Sequence, residues 1–430
     1  MRDPVGERFE ALFGPEFGHG KPFDLEPLHR VLDALGGPQF DVPPVIHVAG
    51  TNGKGSTIAF LRAILETDHL VHAFTKPHLF TLRERFLAGS DAPSEALLID
   101  LAESVAALGG SGLTQFDAQV AVAAILFCET QGDVVLLETG LGGRDDSTAV
   151  FPPALCIITP IGLDHQDVLG TTLAEIATHK AGIMKPGVPS VVARQPVGAL
   201  EVIEARAAEI GAPLLRCGVE WDAYASHGRL LVQSEDRALD VPLPALHGAH
   251  QIDNAGLACA ALMLAAPKHI RPMEDAAFAQ GVANATWPAR LQPLTRGMFS
   301  APIRAVLGEV WVDGGHNAHA AQALSHALEQ MKARRGGTNV AIVGLRRRKD
   351  ALTFVSAIAA GAEHIIAVPL TEDHVSVHEM AALGDKLGRE VATAPSLAAA
   401  MQNAAQLPAP RVLICGSFLL AAEALAAESV

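Results

Sequence analysis

The run Val48-Ala-Gly-Thr-Asn-Gly-Lys-Gly-Ser-Thr57 brings together glycines, hydroxyl side chains and one lysine in the order that suits an anion. Glycines let successive backbone N–H groups converge on phosphate oxygens, and Lys54 adds a mobile cation. A helix beginning near Ile58 adds the positive end of its dipole. Thr51, Asn52, Gly53, Lys54, Gly55, Ser56 and Thr57 are therefore candidate phosphate-binding residues, and nucleotide chemistry is what they suit. The spacing departs from the usual P-loop, because Gly55 separates Lys54 from Ser56 and Val48 stands where the first glycine would be. A glycine-rich turn without a ligand is the plain alternative.

Such a loop needs a strand before it and a helix after it. Short β-branched runs, Val45-Ile-His-Val, Val134-Val-Leu-Leu, Cys156-Ile-Ile-Thr and Ser190-Val-Val-Ala, alternate with longer Ala/Leu-rich segments, a pattern that predicts parallel sheet with crossover helices. After Trp287-Pro-Ala-Arg a Pro- and Gly-containing stretch interrupts it up to Pro302. It resumes with Glu309-Val-Trp-Val, Val340-Ala-Ile-Val, His364-Ile-Ile-Ala-Val and Arg411-Val-Leu-Ile. The expected fold is α/β: a large amino-terminal P-loop domain with a parallel sheet over 1–296, and a smaller Rossmann-like domain over 297–430.

A chain of 430 residues with 49% hydrophobic composition is long enough for two or three domains with ample cores. The formal charge of −15 argues against a nucleic-acid partner, so an anionic ligand must meet local positive groups. Five cysteines without Cys-x-x-Cys spacing suit a reducing cytoplasm. No segment reads as a signal peptide. The longest apolar stretch, from about Ala255 to Pro267, is too short to span a bilayer, so no membrane partner is expected.

The phosphate loop resembles that of the folylpolyglutamate synthase and dihydrofolate synthase family, relatives of the Mur ligases. Further matches follow in family order: Leu137-Glu-Thr-Gly-Leu-Gly-Gly-Arg144, Ile161-Gly-Leu-Asp-His165, His179-Lys-Ala-Gly-Ile183, His250-Gln-Ile-Asp-Asn-Ala255, Trp287-Pro-Ala-Arg290, Asp313-Gly-Gly-His-Asn317 and Lys349-Asp350. The resemblance implies an ATP-dependent ligase in which the γ-phosphate activates a carboxylate as an acyl phosphate, which an amine then attacks. It implies glutamate addition to dihydropteroate, to folates, or to both, in the cytoplasm and by a monomer. ATP and Mg²⁺ are the implied cofactors, with K⁺ as an optional ion.

Carried over by position, the catalytic set is Lys54, Glu138, His165 and Lys180, with Glu138 and His165 as metal ligands. The family lysine at position 180 is carbamylated by CO₂, which turns a cation into a metal-binding anion and requires a neutral amine. Asn254, Arg290, Asp313 and His316 match residues around ATP: Arg290 near the phosphates, Asp313 on the ribose or base, His316 against the adenine. Their placement across both domains implies a cleft that closes on the nucleotide. Thr114-Gln-Phe-Asp117 resembles the family's pterin motif, giving Thr114 and Phe116 as substrate residues, and Arg144 follows the glycines beside the same pocket. Segment 17–24 reads either as a substrate loop or as a surface linker.

Two departures stand out. Phe74-Thr-Lys-Pro-His-Leu79 carries Lys76 where the family has a metal-ligating serine, and an ammonium cannot ligate Mg²⁺. Lys76 either points at a phosphate and stands in for one metal, or swings away and leaves coordination to Thr75 or water. Arg346-Arg-Arg-Lys-Asp350 replaces an acidic position with arginines, which reads as a solvated basic turn or as a receptor for polyglutamate tails. The alternatives to a folate ligase are the same chemistry on another pterin-like or cell-wall-precursor acid, and a nucleotide-binding protein that Lys76 has deprived of turnover.

Overall fold

The structure is a computed structural model that describes residues 2–15, 24–109 and 112–429. Of the expected substrate loop, residues 17–23 lie outside this set. The chain forms two compact units, one running to Ala245 and resuming over Ile252–Thr286, the other comprising Leu246–Gln251 and the chain from Trp287 onward. The division thus falls before the expected 296/297. Gln292–Leu294 pairs antiparallel with Glu309–Val312, which ties that stretch to the second sheet.

The strands of the first unit's main sheet are β1 (Val45–Ala49), β2 (Val71–Phe74), β3 (Phe86–Leu87), β4 (Val134–Glu138), β5 (Pro153–Ile158), β6 (Ser190–Val192) and β7 (Leu214–Arg216). They lie in the order β3-β2-β4-β1-β5-β6-β7, all parallel except the β3 edge. Every residue of β1 and β4 is buried, as expected where helices cover both faces of a parallel sheet. From β1 the chain crosses by helix Lys54–Leu65 to β2 on one side, and β5 later pairs on the other. β1 is therefore the switch point, where a crevice opens at the carboxyl ends of the strands. A three-stranded antiparallel meander, β8 (Trp221–Ser226), β9 (Arg229–Ser234) and β10 (Ala238–Pro242), packs on helix His250–Ala265, where a Cβ on Gly256 would come within 2.3 Å of Ala223.

The second unit holds β11 (Gln292–Leu294), β12 (Glu309–Val312), β13 (Thr338–Val343), β14 (His364–Ala367), β15 (Val391–Thr393) and β16 (Pro410–Cys415), in the order β11-β12-β16-β13-β14-β15. All pairs are parallel except β11 with β12. The mixed α/β architecture agrees with the sequence reading, and the runs named there fall on β1, β4, β5, β6, β12, β13, β14 and β16. Among the described residues no helix is long and apolar enough to cross a membrane.

Candidate active site

The phosphate loop links β1 to helix Lys54–Leu65 and is shaped by two glycines. Gly50 has φ +147° and Gly53 has φ +91°. A Cβ on Gly50 would lie 1.8 Å from Thr159 Oγ1, and one on Gly53 would lie 2.4 Å from Asn254 Oδ1. Asn254, buried in the first unit, is thus set directly against the loop. The segment after β5 braces it from the other side. Thr51 and Asn52 N–H donate to Pro160 O at 3.1 and 3.4 Å, and Thr51 Oγ1 donates to Gly162 O at 3.0 Å. Among the described residues the buried hydroxyls of Thr57 and Thr159 have no hydrogen-bond partner, which leaves polar atoms of the cradle for a ligand.

Charge gathers around this loop. Glu138 ends β4 in register with Val48 and is almost fully buried. Its Oε1 lies 3.9 Å from Lys54 Nζ, and its Oε2 accepts the Lys76 N–H at 3.1 Å. Lys54 Nζ also donates to Gly50 O and Thr51 O at 3.2 and 3.4 Å. Lys180, on helix Leu173–Ala181, donates to Gly50 O at 2.7 Å. Burial, seconded by the charge of Lys54, brings the Lys180 amine down to about 7, against the upward pull of Asp164 and Asp146. A lysine in that state is substantially neutral near neutrality, which sequence could not show.

His165 follows β5 and begins the short helix Gln166–Leu169 at φ +51°; its ring is 3.9 Å from Asp164. Among the described residues no three His, Cys, Asp or Glu side chains converge as a ready-made metal cage. One buried carboxylate beside a phosphate cradle does fit Mg²⁺, which takes one or two carboxylates, keeps waters and draws its other ligands from substrate phosphates.

Thr114 caps helix Gln115–Glu129 in a reciprocal box with Asp117: its N–H and hydroxyl donate to Asp117 Oδ2 at 2.8 and 2.6 Å, and Asp117 N–H returns to Thr114 Oγ1 at 3.1 Å. Phe116 sits against Gly140, where a Cβ would be 2.5 Å from its ring, and its centroid is 5.8 Å from that of Phe74. Lys76 Nζ stands 4.9 Å from the Phe116 centroid. Arg144 is largely exposed and grips Asp145 at 2.9 Å, while its N–H donates to His179 O.

Two supporting residues escaped the sequence reading. Asp146 is buried and accepts Leu141 N–H at 2.6 Å, Thr148 N–H at 3.1 Å and the Thr148 hydroxyl, fixing the loop that follows Glu138. An Asp-Ser-Thr run after a glycine pair is a local turn signal that could have found it. Arg85, also buried, donates to His78 Nδ1 at 3.0 Å and Gln119 Oε1 at 2.7 Å, joining the Lys76–Arg85 segment to the Phe116 helix.

In the second unit Arg290, Asp313 and His316 come together. Asp313 accepts Leu291 N–H at 2.8 Å and Gly315 N–H at 2.6 Å. Arg290 lies between two residues of positive φ, Ala289 at +54° and Leu291 at +41°, and stacks 4.9 Å from the Phe418 ring. His316 meets the same ring edge-on at 5.9 Å, and its Nδ1 bonds Gly314 O at 3.0 Å. Phe418 was not foreseen. Its signal is Gly416-Ser417, a turn and N-cap placed directly after a strand. In the arginine turn after β13, Arg346 pairs with Glu372 and Arg347 pairs with Asp373 and Glu379, all on the same unit.

Residues 48–262 match the Mur ligase middle domain and residues 303–418 the Mur ligase glutamate ligase domain. A dihydrofolate synthase/folylpolyglutamate synthase of Bacillus subtilis is 34% identical over 344 residues, covering 76% of this chain and 77% of the relative. Among solved structures, Escherichia coli FolC in complex with DHPP and ADP aligns with a TM-score of 0.84 at 29% identity, over 99% of this chain and 98% of that one. The bifunctional folylpolyglutamate synthase/dihydrofolate synthase of Yersinia pestis, complexed with AMPPNP and Mn ion, aligns with a TM-score of 0.85 at 29% identity over 100% of both. With both halves matched in order and the bacterial relatives aligned along most of their length, the chain belongs to the folylpolyglutamate synthase/dihydrofolate synthase family of the Mur ligase superfamily.

Proposed function

We propose that the protein is an ATP-dependent ligase that joins L-glutamate to dihydropteroate, to reduced folates, or to both. The observation that carries this reading is the gathering of a phosphate loop, the buried Glu138, Lys54 and the depressed amine of Lys180 at the carboxyl ends of the central strands β1 and β4. An acceptor carboxylate oxygen attacks the γ-phosphorus of ATP, ADP leaves, and the glutamate amine attacks the acyl carbon. The C–O bond to phosphate breaks and the nitrogen sheds its proton, giving amide and inorganic phosphate. Lys54 and the loop N–H groups offset charge on the transferring phosphoryl group. Glu138, His165 and a carbamylated Lys180 would hold Mg²⁺, which when bound withdraws charge from the phosphate oxygens. Arg290, Asp313 and His316 serve the nucleotide, and Thr114, Phe116 and Arg144 the acceptor. Five free thiols suit action in the cytoplasm, and we take the monomer as the working form.

The test is phosphate release from MgATP with L-glutamate, offering dihydropteroate and tetrahydrofolate separately and weighing the products. Glutamate-dependent release with a glutamyl mass gain is expected. Silence with both acceptors despite ATP binding would move the reading to another acid or to a non-catalytic protein.

Lys180 supplies a second prediction. Carbamylation consumes a neutral amine and CO₂ and releases a proton, and the product keeps one N–H to hold Gly50 O. An amine lowered to about 7 is mostly protonated below that pH and mostly neutral above it, so the modified fraction rises as pH climbs from about 6 to 8. Protein equilibrated with ¹³C-bicarbonate should show one slow-exchanging carbamate carbon that is missing from Lys180→Met. A spectrum identical in the two proteins rules the modification out.

A further inference from the structure

Lys76 touches both ends of the first unit's site. Its backbone N–H donates to Glu138 Oε2 at 3.1 Å, beside Lys54 and the phosphate loop. Its ammonium lies 4.9 Å from the centroid of Phe116, the ring expected to face the acceptor. The peptide thus reaches the phosphate end while the side chain runs toward the aromatic end. An ammonium on a ring face is partly stripped of water, and a positive charge so placed attracts an anion.

The surroundings hold it there. Arg85 donates to His78 and to Gln119, so the segment carrying Lys76 is pinned to the helix carrying Phe116. Glu84 accepts the N–H groups of Leu79, Phe80 and Thr81 at 2.8 to 2.9 Å, and Asp3 accepts that of Leu82 at 2.9 Å. A cation fixed between a phosphate cradle and an aromatic face is placed to recognise a molecule that is aromatic at one end and anionic at the end to be phosphorylated.

We infer that the Lys76 ammonium binds the carboxylate of the acceptor and orients it toward the γ-phosphate, making Lys76 a specificity determinant of this chain. The inference rests on the acceptor reading given above. Ammonium and carboxylate form a charge-assisted bond in a shielded place, so removing the charge should weaken the acid without touching a neutral analogue.

The probes are pteroic acid and its methyl ester, titrated by fluorescence against wild type, Lys76→Met and Lys76→Arg without nucleotide. Wild type should prefer the acid by about 10- to 100-fold. Lys76→Met should bind acid and ester alike at the wild-type ester affinity, and Lys76→Arg should recover most of the preference. Equal weakening of acid and ester in Lys76→Met would show that the side chain merely supports Phe116 and would overturn the inference. So would an undiminished acid preference, or an additional bound Mn²⁺ seen by electron paramagnetic resonance in Lys76→Ser with that preference intact. Failure of wild type to bind either probe would instead remove the acceptor reading, and the inference with it.

Discussion

Lys54→Met is expected to lower turnover with MgATP by about 10³-fold or more while leaving the fold in place. Its ammonium lies 3.9 Å from Glu138 and also donates to the carbonyls of Gly50 and Thr51. Without it the transferring phosphoryl group would lose a counter-charge, and the buried Glu138 would lose its contact with Lys54. Breaking a buried pair costs about 3 kcal/mol at most here, because Lys54 retains 17% side-chain exposure and the separation is long. A second effect compounds the first. The charge of Lys54 helps to depress Lys180, so its removal raises that amine and shrinks the neutral fraction open to CO₂. Steady-state phosphate release and a thermal melt check both parts; turnover within tenfold of wild type would remove Lys54 from the reaction.

Eight strands of the two larger sheets were legible because parallel strands covered on two faces read as short apolar runs, as at Val134-Val-Leu-Leu and Val340-Ala-Ile-Val; the shorter β2, β3, β7, β11 and β15 were not read. The phosphate loop was legible because its constraints are local: Gly50 and Gly53 occupy conformations and clearances that a Cβ would forbid. The meander from Trp221 to Pro242 was not read. Its strands mix buried and exposed positions, and Trp221-Asp-Ala-Tyr-Ala-Ser carries no clean alternation.

Side chains whose partners are distant in sequence were equally hidden. Arg85 finds Gln119 across the fold, and Lys180 donates to Gly50 O and is lowered in part by the charge of Lys54, none of them neighbours in the chain. Thr114 shows the opposite difficulty. Its Thr-x-x-Asp spacing fits a substrate motif, yet the same spacing is a capping box, and the observed hydrogen bonds satisfy the helix end. Whatever Phe116 does for an acceptor, Thr114 and Asp117 hold the turn from which it projects.

Asp313 is where structural and chemical roles are hardest to separate, and two variants separate them. Asp313→Ala strands the N–H groups of Leu291 and Gly315, at a cost of about 2–4 kcal/mol for the two together. For a unit of this size that should lower the melting temperature by about 5–12 °C. Ala289 and Leu291 hold positive φ on either side of Arg290, a conformation that costs free energy and persists only while its surroundings enforce it. Losing the Asp313 anchor lets Arg290 leave the Phe418 ring, so turnover should fall by at least about 100-fold. Asp313→Asn keeps the volume and one acceptor oxygen, but its amide must turn an N–H toward one of the same donors. It should recover part of the melting temperature and little of the turnover if the carboxylate also serves the nucleotide. Turnover restored to within threefold by Asn would mean that Asp313 acts only by holding the Arg290 turn, and nucleotide recognition in this unit would then pass to Arg290, His316 and Phe418.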